Sequence, residues 1–255
     1  MIDLHTHILP YMDDGAADVE EALRMADSLH RQDIDLAVCT PHFYPSQISI
    51  QEFDARRSKS MKLISDCAVT LLAASETMLD EYLFYYSDLS ALCIENTKYL
   101  LLELPYDKKW DESIYKMIEK LMDYFDIIPI IAHIERYEAV KKDSRCIKRL
   151  IQMGCLIQMN YTSLLNKSRA GLSMKYLKNH YIDVLGSDCH NMRNRPPLIS
   201  NAALVISQTI GEGYFKTLQD NAAIIVSGNN LRDEKGFVPI DWESNRSILK
   251  RKESD

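Results

Sequence analysis

The sequence lacks the features that would place it outside the common globular proteins. Its six cysteines are widely spaced and form no C-x-x-C pair, which argues against a disulfide framework or a zinc ribbon. No apolar run reaches the ~18 residues of a membrane-spanning helix, and the N-terminal stretch has neither the basic start nor the apolar core of a signal peptide. We therefore expect a cytoplasmic protein with reduced thiols and no membrane insertion.

An excess of basic residues is also missing. The 255 residues include 30 Lys and Arg against 37 Asp and Glu, and the net charge of -7 argues against a nucleic-acid partner. The chain is 46% hydrophobic and has neither an internal repeat nor a low-complexity tract, as expected of a globular domain. We predict a single domain over 1–232 and a charged tail over 233–255, docked through Phe237, Val238, Ile240 and Trp242.

Short β-rich runs alternate with helical patterns along the chain. The clearest helix is 111–126, where Ile114, Ile118 and Leu121 repeat at the spacing of one buried face. Strand and helix in alternation indicate a parallel sheet wrapped by helices, either open or closed into a barrel. The other predicted helices are 18–32, 52–66, 78–92, 143–153 (ended by Gly154), 172–179 and a pair after Pro197. The seven predicted strands are 1–4, 34–40, 69–74, 99–104, 127–132, 155–160 and 181–187.

Side chains of the kind that bind metals follow six of these seven strands. Because the carboxyl ends of parallel strands share one face of the fold, we expect these side chains to converge on one site. A spacing of two, as in His5-Thr6-His7 and Asp188-Cys189-His190, places both outer side chains on the same side of an extended backbone. Imidazole and carboxylate together suit Mn, Fe or Zn. The set comprises His5, His7, His42, Glu76, Glu103, His133, Asp188 and His190.

Several motifs resemble those of the PHP (polymerase and histidinol phosphatase) superfamily, in the family's order from residue 1 to about 230. The HIERY and RPP strings are most similar to its bacterial capsule and exopolysaccharide protein tyrosine phosphatase branch. This resemblance implies a distorted seven-stranded (β/α) barrel that holds three divalent metal ions at its C-terminal mouth. The motifs are DLHTH at 3–7, DDG at 13–15, TPH at 40–42, AHIERY at 132–137, SDCHN at 187–191 and RPP at 195–197.

The resemblance also implies which residues bind each metal. Manganese fits this mixed nitrogen and oxygen set best, with iron or zinc as alternatives. By motif position, the first metal would be held by His5, His7, Glu76 and Asp188, the second by Glu76, Glu103 and His133, and the third by Asp14, His42 and His190.

The implied reaction is hydrolysis of phosphotyrosine by attack of a metal-bridging hydroxide. Three divalent cations with four carboxylates leave a charge of roughly +2, which attracts a dianionic phosphoryl group. Arg136 and Arg195 would bind phosphate or stabilise its transition state, because a guanidinium matches phosphate oxygens in a bidentate manner. His42 and Asp188 are the candidates for protonating the leaving group. Four aromatic residues are candidates for flanking a phenolic ring or for packing, namely Phe43, Tyr44, Tyr106 and Tyr161.

The substrate implied by the resemblance is an autophosphorylated bacterial tyrosine kinase that governs exopolysaccharide length. Three other functions stay open: a small-molecule phosphatase, for instance for histidinol phosphate, a nuclease or polymerase-editing role, and a non-catalytic scaffold of a polysaccharide-export assembly. The acidic balance opposes the nuclease role, and the intact ligand positions oppose the scaffold. The sequence also leaves the oligomeric state open.

One motif suggests a different mechanism. Cys189 and Arg195 have the C-x5-R spacing of cysteine-dependent tyrosine phosphatases, in which a thiolate attacks phosphorus. The five residues between them contain no glycine, and Pro196 occupies the position where Ser or Thr is expected. We therefore interpret Cys189 as an inert thiol. Arg193, which has no family counterpart, is interpreted as an ordinary surface residue.

Overall fold

The computed structural model describes residues 1–106 and 110–234. Within these residues the protein has an α/β fold in which all paired strands run parallel. Against seven predicted strands, the structure has nine in the described part of the chain. They are β1 (Ile2–Thr6), β2 (Leu36–Cys39), β3 (His42–Phe43), β4 (Thr70–Ala73), β5 (Glu76–Met78), β6 (Tyr99–Glu103), β7 (Ile128–Ile131), β8 (Leu156–Asn160) and β9 (Val184–Gly186).

The strands form a curled parallel sheet, like a half-barrel. One group has the order β1-β2-β4, and the other has the order β3-β5-β6-β7-β8-β9. The groups meet beyond β9, where Thr6 forms a parallel bridge with Cys189 and the His7 amide donates to the Cys189 carbonyl at 3.0 Å. The carboxyl ends of the strands therefore surround one mouth.

Two short strands, β3 and β5, were not predicted, which accounts for the larger number. β3 follows the second predicted strand, 34–40, after Pro41, which has no amide hydrogen to donate to a neighbouring strand. β5 follows the third predicted strand, 69–74, after Ser75, whose hydroxyl donates to the Leu92 carbonyl at 2.9 Å. Beyond these two residues, β3 and β5 pair so that His42 lies beside Glu76.

Helices cover the outside of the sheet, and most of them agree with the predicted positions. Asp18, Ser49 and Asp111 accept hydrogen bonds from backbone amides at the starts of the first three helices, as good N-caps do. Gly154 ends α5 with φ of 103°, as its place in the sequence predicts. The helices are α1 (Val19–His30), α2 (Ile50–Leu63), α3 (Glu112–Phe125), α4 (Glu138–Lys142), α5 (Arg145–Met153), α6 (Ala170–Lys178), α7 (Ile199–Thr209), α8 (Glu212–Val226) and α9 (Leu231–Glu234).

The predicted helix over 78–92 is wrong. After β5 the chain forms two 3-10 turns, Glu81–Tyr85 and Ser90–Leu92. Asp80 accepts from the Tyr82 amide and Asp88 from the Ser90 amide, each at 2.9 Å, and such local bonds compete with a continuous helix. Helix α4 was not predicted from the sequence. The tail residues Phe237, Val238, Ile240 and Trp242 lie outside the described residues.

The apolar core has two parts. The larger packs the sheet against the surrounding helices, including Met25 of α1 and Ile118 of α3. The smaller joins strand residues such as Leu4 and Ile130 to Ile225 of α8. Among the residues that the structure describes, no helix combines the length and apolar character needed to cross a bilayer.

Candidate metal centre

The predicted ligand side chains meet at the mouth formed by the carboxyl ends of the strands. His5 lies inside β1 rather than beyond its end, and His7 follows it. His42, Glu76 and Glu103 belong to β3, β5 and β6, while His133 follows β7. Asp188 and His190 follow β9, and Asp14 lies on the loop before α1. The structure thus brings all nine predicted positions together.

The first group of ligands consists of His5, His7, Glu76 and Asp188, whose candidate ligand atoms lie within 4.8 Å of one another. The Nε2 atoms of His5 and His7 are 3.1 Å apart, and each also faces carboxylate oxygens. From His5 Nε2, Glu76 Oε2 is at 3.3 Å and Asp188 Oδ1 at 3.5 Å. All four side chains are buried. This is the set that motif position assigns to the first metal.

The hydrogen bonds of the two imidazoles indicate what this group binds. His5 Nδ1 lies 3.3 Å from Gln158 Oε1, and His7 Nδ1 lies 2.7 Å from Asp13 Oδ2. Since both partners are acceptors, we assign the ring hydrogen of each histidine to Nδ1. Both Nε2 atoms then direct lone pairs into the same small space, an arrangement that a cation between them stabilises. The residues therefore fit a metal ion.

The second group consists of His42, Glu76 and Glu103. His133, predicted for this metal, lies beside the two carboxylates. Its Nε2 is 2.5 Å from Glu76 Oε1 and 3.5 Å from Glu103 Oε1. Glu76 therefore touches ligands of both the first and the second group, which suits the bridging position implied by the resemblance.

The third group consists of His7, Asp14, His42 and His190, so that the structure adds His7 to the predicted three. Asp14 Oδ1 lies 3.3 Å from His190 Nε2 and 3.5 Å from His42 Nε2. The Asp14 side chain is 67% exposed, which places this group at the entrance. Burial lowers the pKa of His190 and so favours its neutral ring, which has a nitrogen able to bind a metal.

Unpaired polar atoms support the same interpretation. Seven buried side-chain atoms of the described residues form no hydrogen bond of suitable geometry, and three of them lie in the site: His42 Nδ1, Glu76 Oε2 and His190 Nε2. Buried polar atoms without partners are costly, and metal coordination is one way to satisfy them. These three atoms belong to the three ligand groups, so metal ions there would satisfy them.

The backbone at the mouth is partly in unfavourable conformations. His133 and Asp188 have positive φ values of 30° and 52°. The extended backbone that we expected for Asp188-Cys189-His190 is therefore wrong, although both outer side chains still face the site. Non-glycine residues with positive φ are uncommon, and they concentrate at functional sites.

Two glycines allow the neighbouring backbone to approach His5 and His7 closely. A Cβ atom on Gly186 would lie 2.4 Å from His5 Cβ. A Cβ atom on Gly15 would lie 2.2 Å from the His7 carbonyl oxygen. Both distances are far below ordinary contact, so only glycine fits at either position.

Asp188 separates the candidate metal ligands from the two predicted arginines. Its Oδ1 faces His5 and His7, while its Oδ2 accepts from Arg136 at 3.1 Å and lies 2.6 Å from Arg195 Nη2. Burial alone would raise the pKa of Asp188, but the surrounding positive charges lower it below its ordinary range. Asp188 is therefore ionised, which suits a metal ligand better than the proton donor suggested from the sequence.

The four aromatic candidates differ in position. Phe43 and Tyr161 are fully buried and serve packing, and Tyr161 OH accepts from Gln219 at 2.8 Å. Tyr44 stacks on His42 with ring centroids 5.5 Å apart, and Tyr106 OH lies 3.0 Å from His133 Nε2. Only Tyr44 and Tyr106 are therefore placed beside the ligand groups.

Cys189 is not placed as a nucleophile. Its side chain is fully buried, and burial raises the pKa of the thiol well above its ordinary value. A thiolate is the reactive form of cysteine, and this environment opposes it. The interpretation of Cys189 as an inert thiol agrees with this position.

Sequence reasoning missed the residues that orient the ligands. Asp13 holds His7, and Gln158 Oε1 accepts from the His133 amide at 2.6 Å besides contacting His5. Asn160 donates to Asp188 Oδ2 at 2.7 Å. Both amides lie on β8, the one predicted strand that supplies no ligand. Their spacing of two, the same as in His5-Thr6-His7, is the signal that could have identified them.

The sequence matches a family described as capsular polysaccharide synthesis, CpsB/CapC, over residues 1–227. The chain belongs to this family. Tyrosine-protein phosphatase CpsB of Streptococcus agalactiae serotype V is 28% identical over 233 residues, covering 83% of this chain and 92% of the relative. Tyrosine-protein phosphatase YwqE of Bacillus subtilis is 28% identical over 243 residues, covering 91% and 93%. The predicted resemblance to the capsule phosphatase branch is confirmed.

A solved structure extends this likeness to the fold. It belongs to a study of YwqE from Bacillus subtilis and CpsB from Streptococcus pneumoniae, described as unique metal-dependent tyrosine phosphatases. It superposes with a TM-score of 0.77 at 25% identity, covering 90% of this chain and 96% of the other. The curled α/β fold is thus shared along nearly the whole length of both chains.

Proposed function

We propose that this protein is a metal-dependent protein tyrosine phosphatase that acts in the regulation of capsular or exopolysaccharide synthesis. The observation that carries the proposal is the convergence of buried imidazoles and carboxylates beside Arg136 and Arg195. The names of the relatives, tyrosine-protein phosphatases CpsB and YwqE, support the same reaction.

We further propose a single domain over 1–232 with a distorted seven-stranded barrel of the PHP type. Its ligands would be His5, His7, Glu76 and Asp188 for a first metal, with Glu103 and His133 completing a second. Asp14, His42 and His190, joined by His7, would hold a third. Manganese suits these nitrogen and oxygen donors best, and iron and zinc are the alternatives.

Bound divalent cations would supply a nucleophilic oxygen at neutral pH and offset the charge of the phosphoryl group. The protein residues position that group. Arg136 and Arg195, which share Asp188 Oδ2, face the side of Asp188 away from His5 and His7. Their guanidinium groups can bind phosphoryl oxygens there without leaving Asp188 unpaired, because Asn160 also donates to it. They would stabilise charge as it develops during transfer.

The leaving group makes modest demands on a proton donor. A tyrosine hydroxyl has a pKa of ~10, so phenolate leaves more readily than an alkoxide. Asp188 is ionised and has no proton to give. His42 is placed as a ligand, with Nδ1 3.1 Å from Glu76 and Nε2 3.5 Å from Asp14. We therefore assign both residues to metal binding and propose that solvent protonates the departing tyrosine.

The physiological substrate would be a phosphotyrosine protein, for which an autophosphorylated bacterial tyrosine kinase in the cytoplasm is our candidate. Hydrolysis of a phosphotyrosine peptide by chelator-stripped protein, with Mn, Zn or Fe added back, tests the proposal. We expect the stripped protein to be inactive and one of these metals to restore turnover. Full activity after stripping would contradict it.

Two further measurements separate the other functions. Faster turnover of histidinol phosphate than of the peptide would favour a small-molecule phosphatase. Protein that is purified without chelator, contains no metal and hydrolyses neither substrate would favour the scaffold. We expect preference for the peptide and bound metal.

A further inference from the structure

A cavity of about 370 Å³ lies beside the metal centre, on the arginine side of Asp188. Its lining includes Arg136 and Arg195, and also a third arginine, Arg169, on the segment that leads into α6. At about 30 Å³ per water molecule, the space corresponds to roughly twelve waters. It is large enough for a charged side chain next to the phosphoryl group.

The charges around this cavity are unbalanced. Three guanidinium groups face one carboxylate, Asp188, which is already bound by Arg136 and Arg195. In the parts of the chain that the structure describes, the Arg169 side chain forms no ion pair. Its half-buried position limits screening by solvent, so an anion that reaches it gains a charge-assisted hydrogen bond.

The remaining polar groups of the wall suit an anion as well. Thr162, Asn166 and Asn194 contribute a hydroxyl and two amides to the lining. Asn166 Oδ1 already accepts from the Ser168 amide at 3.0 Å and from its hydroxyl at 2.7 Å. The Asn166 amino group is therefore left to donate. This part of the wall offers hydrogen-bond donors and has no carboxylate that would repel an anion. A phosphate or carboxylate ligand requires such a surface.

We propose that Arg169 forms a second anion subsite, which binds a negatively charged group a few residues from the phosphotyrosine that is hydrolysed. This inference rests on the proposed phosphatase function. The ligand is an anionic side chain of the same peptide, either a second phosphotyrosine or a glutamate. Arg169 is thus a specificity residue, whereas Arg136 and Arg195 serve the phosphoryl group at the metals.

The test compares three phosphotyrosine peptides that differ only in one flanking position: neutral, glutamate or a second phosphotyrosine. For Arg169→Ala we expect KM to rise roughly 10- to 150-fold on the anionic peptides, the cost of a hydrogen bond to a charged group. The neutral peptide and kcat should be nearly unchanged. Arg169→Lys should restore part of the affinity, and Arg193→Ala, on an exposed arginine outside the cavity lining, is the matched control.

Binding is measured separately by fluorescence anisotropy, with labelled peptides in which a non-hydrolysable difluoromethylphosphonate replaces the phosphate. Weaker binding of Arg169→Ala to the anionic peptides alone supports the subsite, even if the protein proves to have no phosphatase activity. If Arg169→Ala weakens binding of the doubly phosphorylated peptide more than that of the glutamate peptide, the ligand of the subsite is phosphate. If both peptides are weakened equally, the subsite accepts either a carboxylate or a phosphate. Equal weakening for all three peptides, or the same behaviour in Arg193→Ala, would overturn the proposal.

Discussion

Two cavities lie at opposite ends of the strands, and the larger one is not the candidate site. The larger, of about 570 Å³, lies at the amino ends of β2 and β4 and is lined by His30, Asp35, Lys62 and Cys67. The smaller, of about 370 Å³, lies at the carboxyl ends beside Asp188. Volume alone would therefore point to the wrong end of the fold.

The two ends differ in what the sequence places in the interior. At the amino ends, the ionisable side chains of His30, Asp35 and Lys62 are exposed. At the carboxyl ends, five histidines and four carboxylates lie within a few ångströms of one another, and most of them are buried. Burying such groups is unfavourable unless each finds a partner, so their accumulation at one end indicates binding of metals.

The largest expected effect comes from Glu76, which contacts ligands of both the first and second groups. Glu76→Gln removes a charge without changing the shape of the side chain. We expect turnover to fall by more than about 100-fold, which exceeds the loss usually seen when a residue that only hydrogen-bonds to a metal ligand is changed. Metal content, measured by mass spectrometry, should fall with it. The matched variant at the other cavity is Asp35→Asn, whose side chain is 80% exposed. If Asp35→Asn were as damaging as Glu76→Gln, the distinction between the two ends would fail.

The next effect concerns the amides of β8. Gln158→Leu removes the acceptor that orients both His5 and the His133 backbone, and we expect metal affinity to drop about 10- to 100-fold. Titration calorimetry with Mn on stripped protein measures this directly. Gln152→Leu, on the exposed face of α5, is the control and should bind metal like the wild type. Unchanged affinity in Gln158→Leu would mean that packing alone orients the histidines.

A stability effect of intermediate size is expected at Gly186. Gly186→Ala forces a Cβ atom against His5 Cβ at 2.4 Å, and we expect unfolding in urea to become easier by ~1 to 3 kcal/mol. Gly213→Ala in α8 has no heavy atom within 4 Å of the new Cβ, and it should stabilise the helix by ~0.5 to 1 kcal/mol. Changes of opposite sign in the free energy of unfolding of the two variants would confirm that the close approach to His5, and not the loss of a glycine as such, destabilises Gly186→Ala.

The ligand positions could be predicted because parallel β/α topology places the carboxyl ends of all strands on one face. That rule requires only the strand positions, so His5 and Asp188 could be grouped although they lie far apart in sequence. The orienting residues could not be found in this way. Gln158 acts on His5 only through the register of β8 in the sheet, which periodicity does not determine. The 78–92 segment was misjudged for a related reason, because Asp80 and Asp88 form local bonds that override its apolar spacing.

The smallest expected effect distinguishes the metal reaction from the thiolate reaction at the same mouth. Cys189→Ser keeps the size of a fully buried side chain, so turnover should stay within the same order of magnitude as the wild type. Cys67→Ser, which changes a half-buried thiol at the other cavity, provides the comparison, and both should show the same requirement for metal. Steady-state kinetics on a phosphotyrosine peptide measures both. A serine hydroxyl cannot replace a thiolate nucleophile. If Cys189→Ser alone lost nearly all turnover while its metals stayed bound, the thiolate of Cys189 and not the metal centre would be responsible for the reaction.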